Sequence, residues 1–161
     1  MVACGERSIP GYQVQGVPEG FLYSANVDKE PDVFPDREIL SQGAWLGDIR
    51  TFEPQSEIFV TRYRGSVSIE HARAARDAQA GRYGNPESID YGAVETVLID
   101  DRTAFSWLET RYDEYGAVRS MDYKAVISYD TVTYALEFST SESTRLHADS
   151  LTRVLHSWGE G

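Results

Sequence analysis

The sequence predicts an α+β fold in which an antiparallel β-sheet is flanked by helices. Two observations lead to this prediction. Between Val94 and Phe138 the chain alternates apolar and polar side chains in four segments separated by short turns, which is typical of an antiparallel meander. Large apolar side chains then recur at i, i+3, i+4 and i+7, the spacing of one helix face; these are Leu151, Val154, Leu155 and Trp158. We therefore expect a C-terminal amphipathic helix that packs on the sheet.

The composition favours a globular protein and disfavours nucleic acid as a partner. With 161 residues the chain suits one domain, which we expect over residues 12–161 after a flexible segment over residues 1–11. The formal net charge of -11 repels phosphate backbones. A local basic patch could still form where five arginines cluster in sequence: Arg62, Arg64, Arg73, Arg76 and Arg82. The sequence has no apolar run of about 18 residues and so predicts no transmembrane helix.

Cys4 is the single cysteine of the sequence, so this chain offers no internal disulfide and no cysteine cluster for a metal. The run Met1-Val2-Ala3-Cys4-Gly5 resembles the end of a bacterial lipobox, whose cysteine receives lipid. If Met1 is the native start, we expect an ordinary thiol in a cytoplasmic protein. If a signal peptide has been removed upstream, we expect an exported lipoprotein that contacts the membrane through a lipidated Cys4.

The first half of the chain predicts short strands. Alternation over residues 12–17 and an apolar segment over residues 21–27 indicate two strands on either side of a turn at Pro18-Glu19-Gly20. Residues 39–49 predict a bent strand, and residues 57–64 predict a strand whose two faces are both covered, because both carry β-branched or aromatic side chains.

The segment from Asp28 to Glu38 contains two prolines and several carboxylates. Proline removes a backbone donor and restricts the residue before it, so we expect an irregular loop. Its functional interpretation is a docking surface for a basic partner or a weak calcium site, and its simpler interpretation is a solvated loop. The carboxylates assigned to this possible partner surface are Asp28, Glu30, Asp32, Asp36 and Glu38.

Local signals also place the helix ends and the turns. Ser68 is expected to cap a helix that begins at Ile69. Within the meander, turns are expected at residues 100–103 and 113–116, and a tight two-residue hairpin is expected at Asp130-Thr131. Ser139 and Glu142 have the spacing of a capping box and are expected to begin the C-terminal helix.

The sequence offers little catalytic chemistry. The three histidines, His71, His147 and His156, do not have the spacing of a zinc site and are expected to be structural. Asp100 and Asp101 are adjacent carboxylates, but turn formation explains them more simply than acid/base catalysis does. No Gly-x-Ser-x-Gly elbow occurs. We therefore expect no metal, no cofactor and no catalytic residues, and favour a binding protein over an enzyme.

The order of these elements resembles the PsbP-like family of α/β/α sandwiches. The features that carry the resemblance are Gly20-Phe21 after the first strand, the meander from Val94 to Phe138, and the motif Leu151-Thr152-Arg153-Val154-Leu155-His156-Ser157-Trp158. The family includes photosystem II extrinsic proteins, a yeast Ran-binding import factor, and bacterial envelope lipoproteins and secretion chaperones. Members usually place a glycine in the hairpin before the second meander strand, where this chain has Asp101-Arg102.

The resemblance implies a non-enzymatic binding or assembly module for a protein partner. The alternative is a small enzyme or small-molecule carrier, with a cavity between the sheet and the helices.

Overall fold

The computed structural model describes residues 12–17, 21–25, 33–47, 56–83, 88–140 and 153–160. Within these ranges the chain forms ten strands and one long helix, α1, at Ile69–Tyr83. The strands are β1 (Tyr12–Val14), β2 (Phe21–Ser24), β3 (Ile39–Gly47), β4 (Ser56–Arg64), β5 (Ile89–Tyr91), β6 (Glu95–Ile99), β7 (Arg102–Tyr112), β8 (Val118–Tyr129), β9 (Val132–Thr140) and β10 (Trp158–Glu160).

Eight of the strands form one antiparallel sheet in the order β2-β3-β4-β9-β8-β7-β5, with β6 also paired to β7. The predicted four-stranded meander is confirmed as β6-β7-β8-β9. Strands β5 and β6 share one edge of β7, because β6 pairs with residues 102–106 and β5 pairs with residues 109–111. The remaining strands, β1 and β10, pair with each other in a separate antiparallel ribbon.

The first meander hairpin is tighter than the sequence predicts. The expected turn at residues 100–103 is a two-residue turn, because Arg102 already pairs with Ile99. Asp100 and Asp101 both have φ of 56°, the left-handed values that a type I′ hairpin requires. Aspartate tolerates this conformation better than most residues, so Asp100 and Asp101 form the turn without a glycine. The hairpin at Asp130-Thr131 is confirmed by the pairing of Tyr129 with Val132.

The sheet is covered on both faces. We call the side that packs against β1 and β10 the ribbon face and the opposite side the helix face. The buried side chains of the ribbon face include Ile58, Val60, Ala125, Ile127, Tyr134, Leu136 and Phe138. Those of the helix face include Tyr63, Trp107, Val126 and Ala135, together with Ala72 and Ala75 of α1. The two faces of β4 are therefore both covered, as predicted.

Helix α1 begins at Ile69, as the predicted cap requires. The backbone N–H of His71 donates to Ser68 Oγ at 3.3 Å, and the N–H of Ala72 donates to the Ser68 carbonyl at 3.1 Å. Ala72 and Ala75 are buried, so small side chains let the helix approach the sheet closely. None of the helical segments in the described ranges has the length and apolarity needed to cross a membrane.

The C-terminal elements correct two predictions. Ser139 does not cap a helix, because it lies in β9 and pairs with Glu57 and Asp122 on the neighbouring strands. The described part of the terminal helix is a single turn over residues 153–156, and Trp158 is not helical but begins β10. Backbone pairing of Trp158 with Val14 of β1 replaces the next helical turn, so tertiary pairing overrides the local 3.6-residue period. The earlier part of the expected helix, including Glu142, lies outside the described residues.

Trp158 nevertheless occupies the core, as its apolar spacing suggests. It is 2% exposed, and its ring lies 4.9 Å from that of Tyr134. The indole N–H donates to the Tyr129 hydroxyl at 3.2 Å, and that hydroxyl donates to Asp100 Oδ2 at 2.6 Å. One hydrogen-bonded series thus connects β10 through β8 to the hairpin at Asp100-Asp101.

Replacement of Trp158 by alanine should lower the free energy of unfolding by about 3–5 kcal/mol, because it removes a large buried ring and leaves Tyr129 without its donor. Urea denaturation measures the loss. Leu98→Ala is the matched control, since Leu98 is an exposed apolar residue and its truncation should change stability by less than about 0.5 kcal/mol. Equal unfolding midpoints for the Trp158→Ala variant and the unaltered protein would contradict this packing.

Candidate functional site

The structure describes the end of the acidic segment that was assigned as a possible partner surface. Asp36 and Glu38 are exposed, and the Glu38 carboxylate forms an ion pair with Arg64. Asp28, Glu30 and Asp32 lie outside the described residues, as does Cys4. The partner surface therefore stays a prediction; three of its five carboxylates lie outside the described residues, and Glu38 already has a cationic neighbour.

The described end of this segment is anchored to the helix face of the sheet. Val33 and Phe34 are buried there, and the Phe34 ring meets Tyr63 edge-on at a centroid distance of 5.3 Å. Arg37 donates from Nη1 to the Ser66 carbonyl at 3.2 Å, which ties the segment to the connection before α1. The carboxylates of Asp36 and Glu38 are thus held at a fixed place on the surface.

An exposed pair of leucines lies on the same face at the edge of the sheet. Leu22 of β2 and Leu46 of β3 are partners in the strand register, and they are 67% and 39% exposed. Leu46 is in turn the register partner of Glu57 on β4, which is also exposed. We call Leu22 and Leu46 the leucine pair. It places adjoining apolar surface beside a carboxylate.

Sequence reasoning did not identify the leucine pair. Leu22 lies in a segment that was expected to be a short strand, and Leu46 lies in a strand that was expected to bend. Their proximity follows from the pairing of β2 with β3 across a connection of fourteen residues, from 25 to 38. No local signal sets a register over that distance.

A buried row of charges crosses the helix face behind α1. Glu109, Lys124 and Glu137 come from β7, β8 and β9, and they are 1%, 3% and 3% exposed. Lys124 Nζ lies 2.9 Å from Glu109 Oε2 and 3.8 Å from Glu137 Oε1. The Trp107 indole N–H also donates to Glu109 Oε2, at 3.2 Å. We call the three charged residues the buried charge row.

Burial and neighbouring charges set the protonation of this row. Burial raises the pKa of Glu109 because it disfavours the carboxylate, and the nearby Lys124 ammonium only partly opposes this. Burial alone would lower the pKa of Lys124, but the carboxylates of Glu137 and Glu109 outweigh it and raise that pKa. Lys124 therefore stays cationic between two carboxylates that share it.

A second ion pair lies beside Glu109 of the buried charge row. Arg111 pairs with Asp122, and Arg111 also lies 4.0 Å from Glu109. The pKa of Arg111 is raised, because the carboxylates of Asp122 and Glu109 outweigh the effect of its burial. Each cation in this region has a carboxylate beside it. The charges of this region therefore satisfy one another.

The sequence could have revealed part of the buried charge row. A two-residue hairpin at residues 130–131 pairs residue 129 with 132 and, by extension, residue 124 with 137. Lys124 and Glu137 both lie on the faces predicted to be polar, so an ion pair between them follows from the turn alone. Burial of the pair does not follow from it, because α1 covers this face from a different part of the chain.

Two histidines take structural positions. His71 is exposed and its Nδ1 lies 3.1 Å from Ser68 Oγ at the start of α1. His156 Nε2 lies 3.1 Å from the Tyr123 hydroxyl, and burial lowers the pKa of its imidazole. His147 lies outside the described residues. No group of three His, Cys, Asp or Glu side chains within the described ranges has the arrangement of a metal site.

Comparison with known proteins identifies the fold. No protein-family model matches the sequence, and no curated protein matches it. Several solved structures do match. The solution structure of cyanobacterial PsbP (CyanoP) from Synechocystis sp. PCC 6803 is 15% identical, covers 94% of this chain and 87% of its own, and gives a TM-score of 0.58. The chain has the PsbP-like fold.

Two further structures share this PsbP-like fold. LpqN of Mycobacterium tuberculosis, described as involved in cell envelope biogenesis, is 12% identical over 92% of this chain and 84% of its own, with a TM-score of 0.54. The Ran-binding protein Mog1p of Saccharomyces cerevisiae is 13% identical over 89% of this chain and 87% of its own, with a TM-score of 0.53. The resemblance stated from the sequence is confirmed as a likeness of fold.

Replacement of Lys124 by methionine should destabilise the protein by about 3–5 kcal/mol at pH 7, since Glu109 and Glu137 would be left buried without their counter-ion. Urea denaturation again measures the change. The control for position is Arg119→Met, which removes an exposed cation from the same strand and should cost less than about 0.5 kcal/mol. Adding Glu109→Gln and Glu137→Gln to Lys124→Met should recover most of the stability. A Lys124→Met variant as stable as Arg119→Met would show that the row is not buried as described.

Glu109→Gln should change the pH dependence of stability. Because folding raises the pKa of Glu109 above its ordinary value of 4.5, the protonated carboxyl stabilises the fold fully below pH 4.5, and this contribution is lost as the pH rises through the higher folded pKa. The free energy of unfolding of the unaltered protein should therefore fall over this interval relative to that of Glu109→Gln. Urea titrations at successive pH values test this. Parallel stability curves for the two proteins would contradict the raised pKa.

Proposed function

We propose that the protein is a non-enzymatic binding module for a protein partner, and that the partner docks on the helix face at the β2–β3 edge. The observation that carries this proposal is the leucine pair, in which Leu22 and Leu46 adjoin in register and remain exposed. Single exposed leucines are common on protein surfaces, but adjoining apolar side chains rimmed by polar groups are typical of interaction sites.

The charge of the chain indicates the chemistry of the partner. The net charge is -11, and Glu57 flanks the leucine pair in the same register row. The acidic segment from Asp28 to Glu38 lies between β2 and β3 in the sequence. A partner segment that combines apolar side chains with lysine or arginine would complement this surface, and its association would be accelerated by long-range attraction.

The likeness of fold supports a binding role at the level of class. One solved structure of this fold is described as a Ran-binding protein, and another as involved in cell envelope biogenesis. Lys124 and Glu109, which are both buried, form an ion pair with each other. These features favour recognition over chemistry on a substrate.

Changing Leu22 and Leu46 to aspartate together should abolish capture of the partner, because two charges would replace the apolar contact without disturbing the core. The measurement is affinity capture from lysate of the source cells, with quantitative mass spectrometry of each protein recovered. Leu98→Asp is the matched control, since Leu98 is equally exposed, at 70%, but lies on β6 at the opposite edge.

The expected result is one protein recovered in stoichiometric amount with the unaltered chain and with Leu98→Asp, and lost with the double variant. Its recovery should also fall between about 0.05 and 0.5 M NaCl, because salt screens the carboxylates. Equal recovery with the double variant would place the partner elsewhere, and repeated recovery of no partner would argue against a binding module.

A further inference from the structure

Two buried polar atoms on the ribbon side of the sheet, from neighbouring residues of β3 and β4, have no hydrogen-bond partner. Arg62 Nε and Ser41 Oγ are both inaccessible to solvent, and neither makes a hydrogen bond. Ser41 and Arg62 are direct partners in the register of β3 and β4, so their side chains leave the same face of the sheet side by side. A buried donor without an acceptor destabilises the fold, and a charged donor does so more than a neutral one. Two such groups at one place call for a common explanation.

Two carboxylates on the ribbon face already have partners among the described residues. Glu38 pairs with Arg64, the next residue of β4 on the same face, and Asp100 accepts a hydrogen bond from the Tyr129 hydroxyl. Arg62 forms no ion pair with the described carboxylates, although the chain has 26 acidic side chains. The missing acceptor is not supplied by the described residues.

A tyrosine borders this place on the outer side. At Gly43, the next position on the ribbon face of β3, an added Cβ would lie 2.6 Å from the Tyr23 hydroxyl. The Tyr23 ring thus crosses directly over Gly43, where it also packs on Trp45 at a centroid distance of 5.0 Å. The Tyr23 hydroxyl is thus a third polar group on the same part of the surface as Arg62 and Ser41. Its approach to β3 is possible because Gly43 has no side chain.

We propose that Arg62, Ser41 and Tyr23 form a binding site for a small oxyanion, a phosphate or a carboxylate group. A guanidinium presents a planar fork of N–H donors that matches two oxygens of such a group, and hydroxyls add further donors. The anion would supply the acceptor that Arg62 Nε and Ser41 Oγ lack. The site lies on the ribbon face, opposite to the face that carries the leucine pair, so it is independent of the proposed partner surface.

The test is a titration of the full chain with inorganic phosphate and, separately, with acetate, at constant ionic strength maintained with NaCl. Binding is read from the melting temperature and from the NMR resonances of the Arg62 Nε–H and the Ser41 amide. Arg62→Met removes the fork, Ser41→Ala removes one hydroxyl, and Arg73→Met is the matched control, because Arg73 is an exposed arginine on α1.

The expected result is a saturable rise in melting temperature with at least one of the two anions, together with saturable shifts at Ser41 and Arg62. Arg73→Met should respond as the unaltered protein does, Ser41→Ala should bind roughly tenfold more weakly for the loss of one charged hydrogen bond, and Arg62→Met should not respond. The stronger of the two ligands identifies the oxyanion class. No saturable response to either anion, shifts confined to other residues, or an undiminished response in Ser41→Ala and Arg62→Met would each overturn the proposal.

Discussion

The backbone pairing of β9 with both β4 and β8 is the interaction on which the rest of the structure depends. Each residue of β9 from Val132 to Thr140 has a partner on β8 and another on β4. These ladders join the meander of the second half to the strands of the first half, and so fix which side chains share each face. A slip by one residue would move every side chain of β9 to the opposite face. Both cores and the buried charge row require this one register.

The buried charge row makes that register selective. In the observed alignment Lys124 lies between Glu109 and Glu137 on the helix face, whereas a slip of β8 by one residue would turn its ammonium into the apolar core of the ribbon face. Buried ion pairs often add little net stability, because desolvation offsets their attraction. In this protein the charges act mainly by destabilising wrong strand alignments, in which a charge would be buried without a counter-ion. The buried charge row therefore selects the correct strand register more than it adds net stability.

Local sequence signals predicted the elements that short-range chemistry controls. The meander, the Asp130-Thr131 hairpin and the Ser68 cap depend on neighbouring residues, and all are present. The predictions that were wrong concern residues whose structure is set by pairing with residues distant in sequence. Trp158 fits a helical stripe, but pairing with Val14 at the other end of the chain draws it into a strand, and Ser139 fits a capping box but is held by two flanking strands. The leucine pair escaped prediction for a related reason, since the register of β2 on β3 is set across a connection of fourteen residues.

The ribbon of β1 and β10 has a consequence for the order of events in folding. Tyr12 pairs with Glu160 and Val14 with Trp158, so these contacts close a loop that contains almost the entire chain. Contacts of such long sequence separation form late, because the entropy of closing the loop is lost before they return any stability. During synthesis the ribbon face must stay open until residue 158 has left the ribosome. Residues 158–160 thus complete the ribbon face, and the apolar side chains of that face stay accessible in the nascent chain until those residues are available.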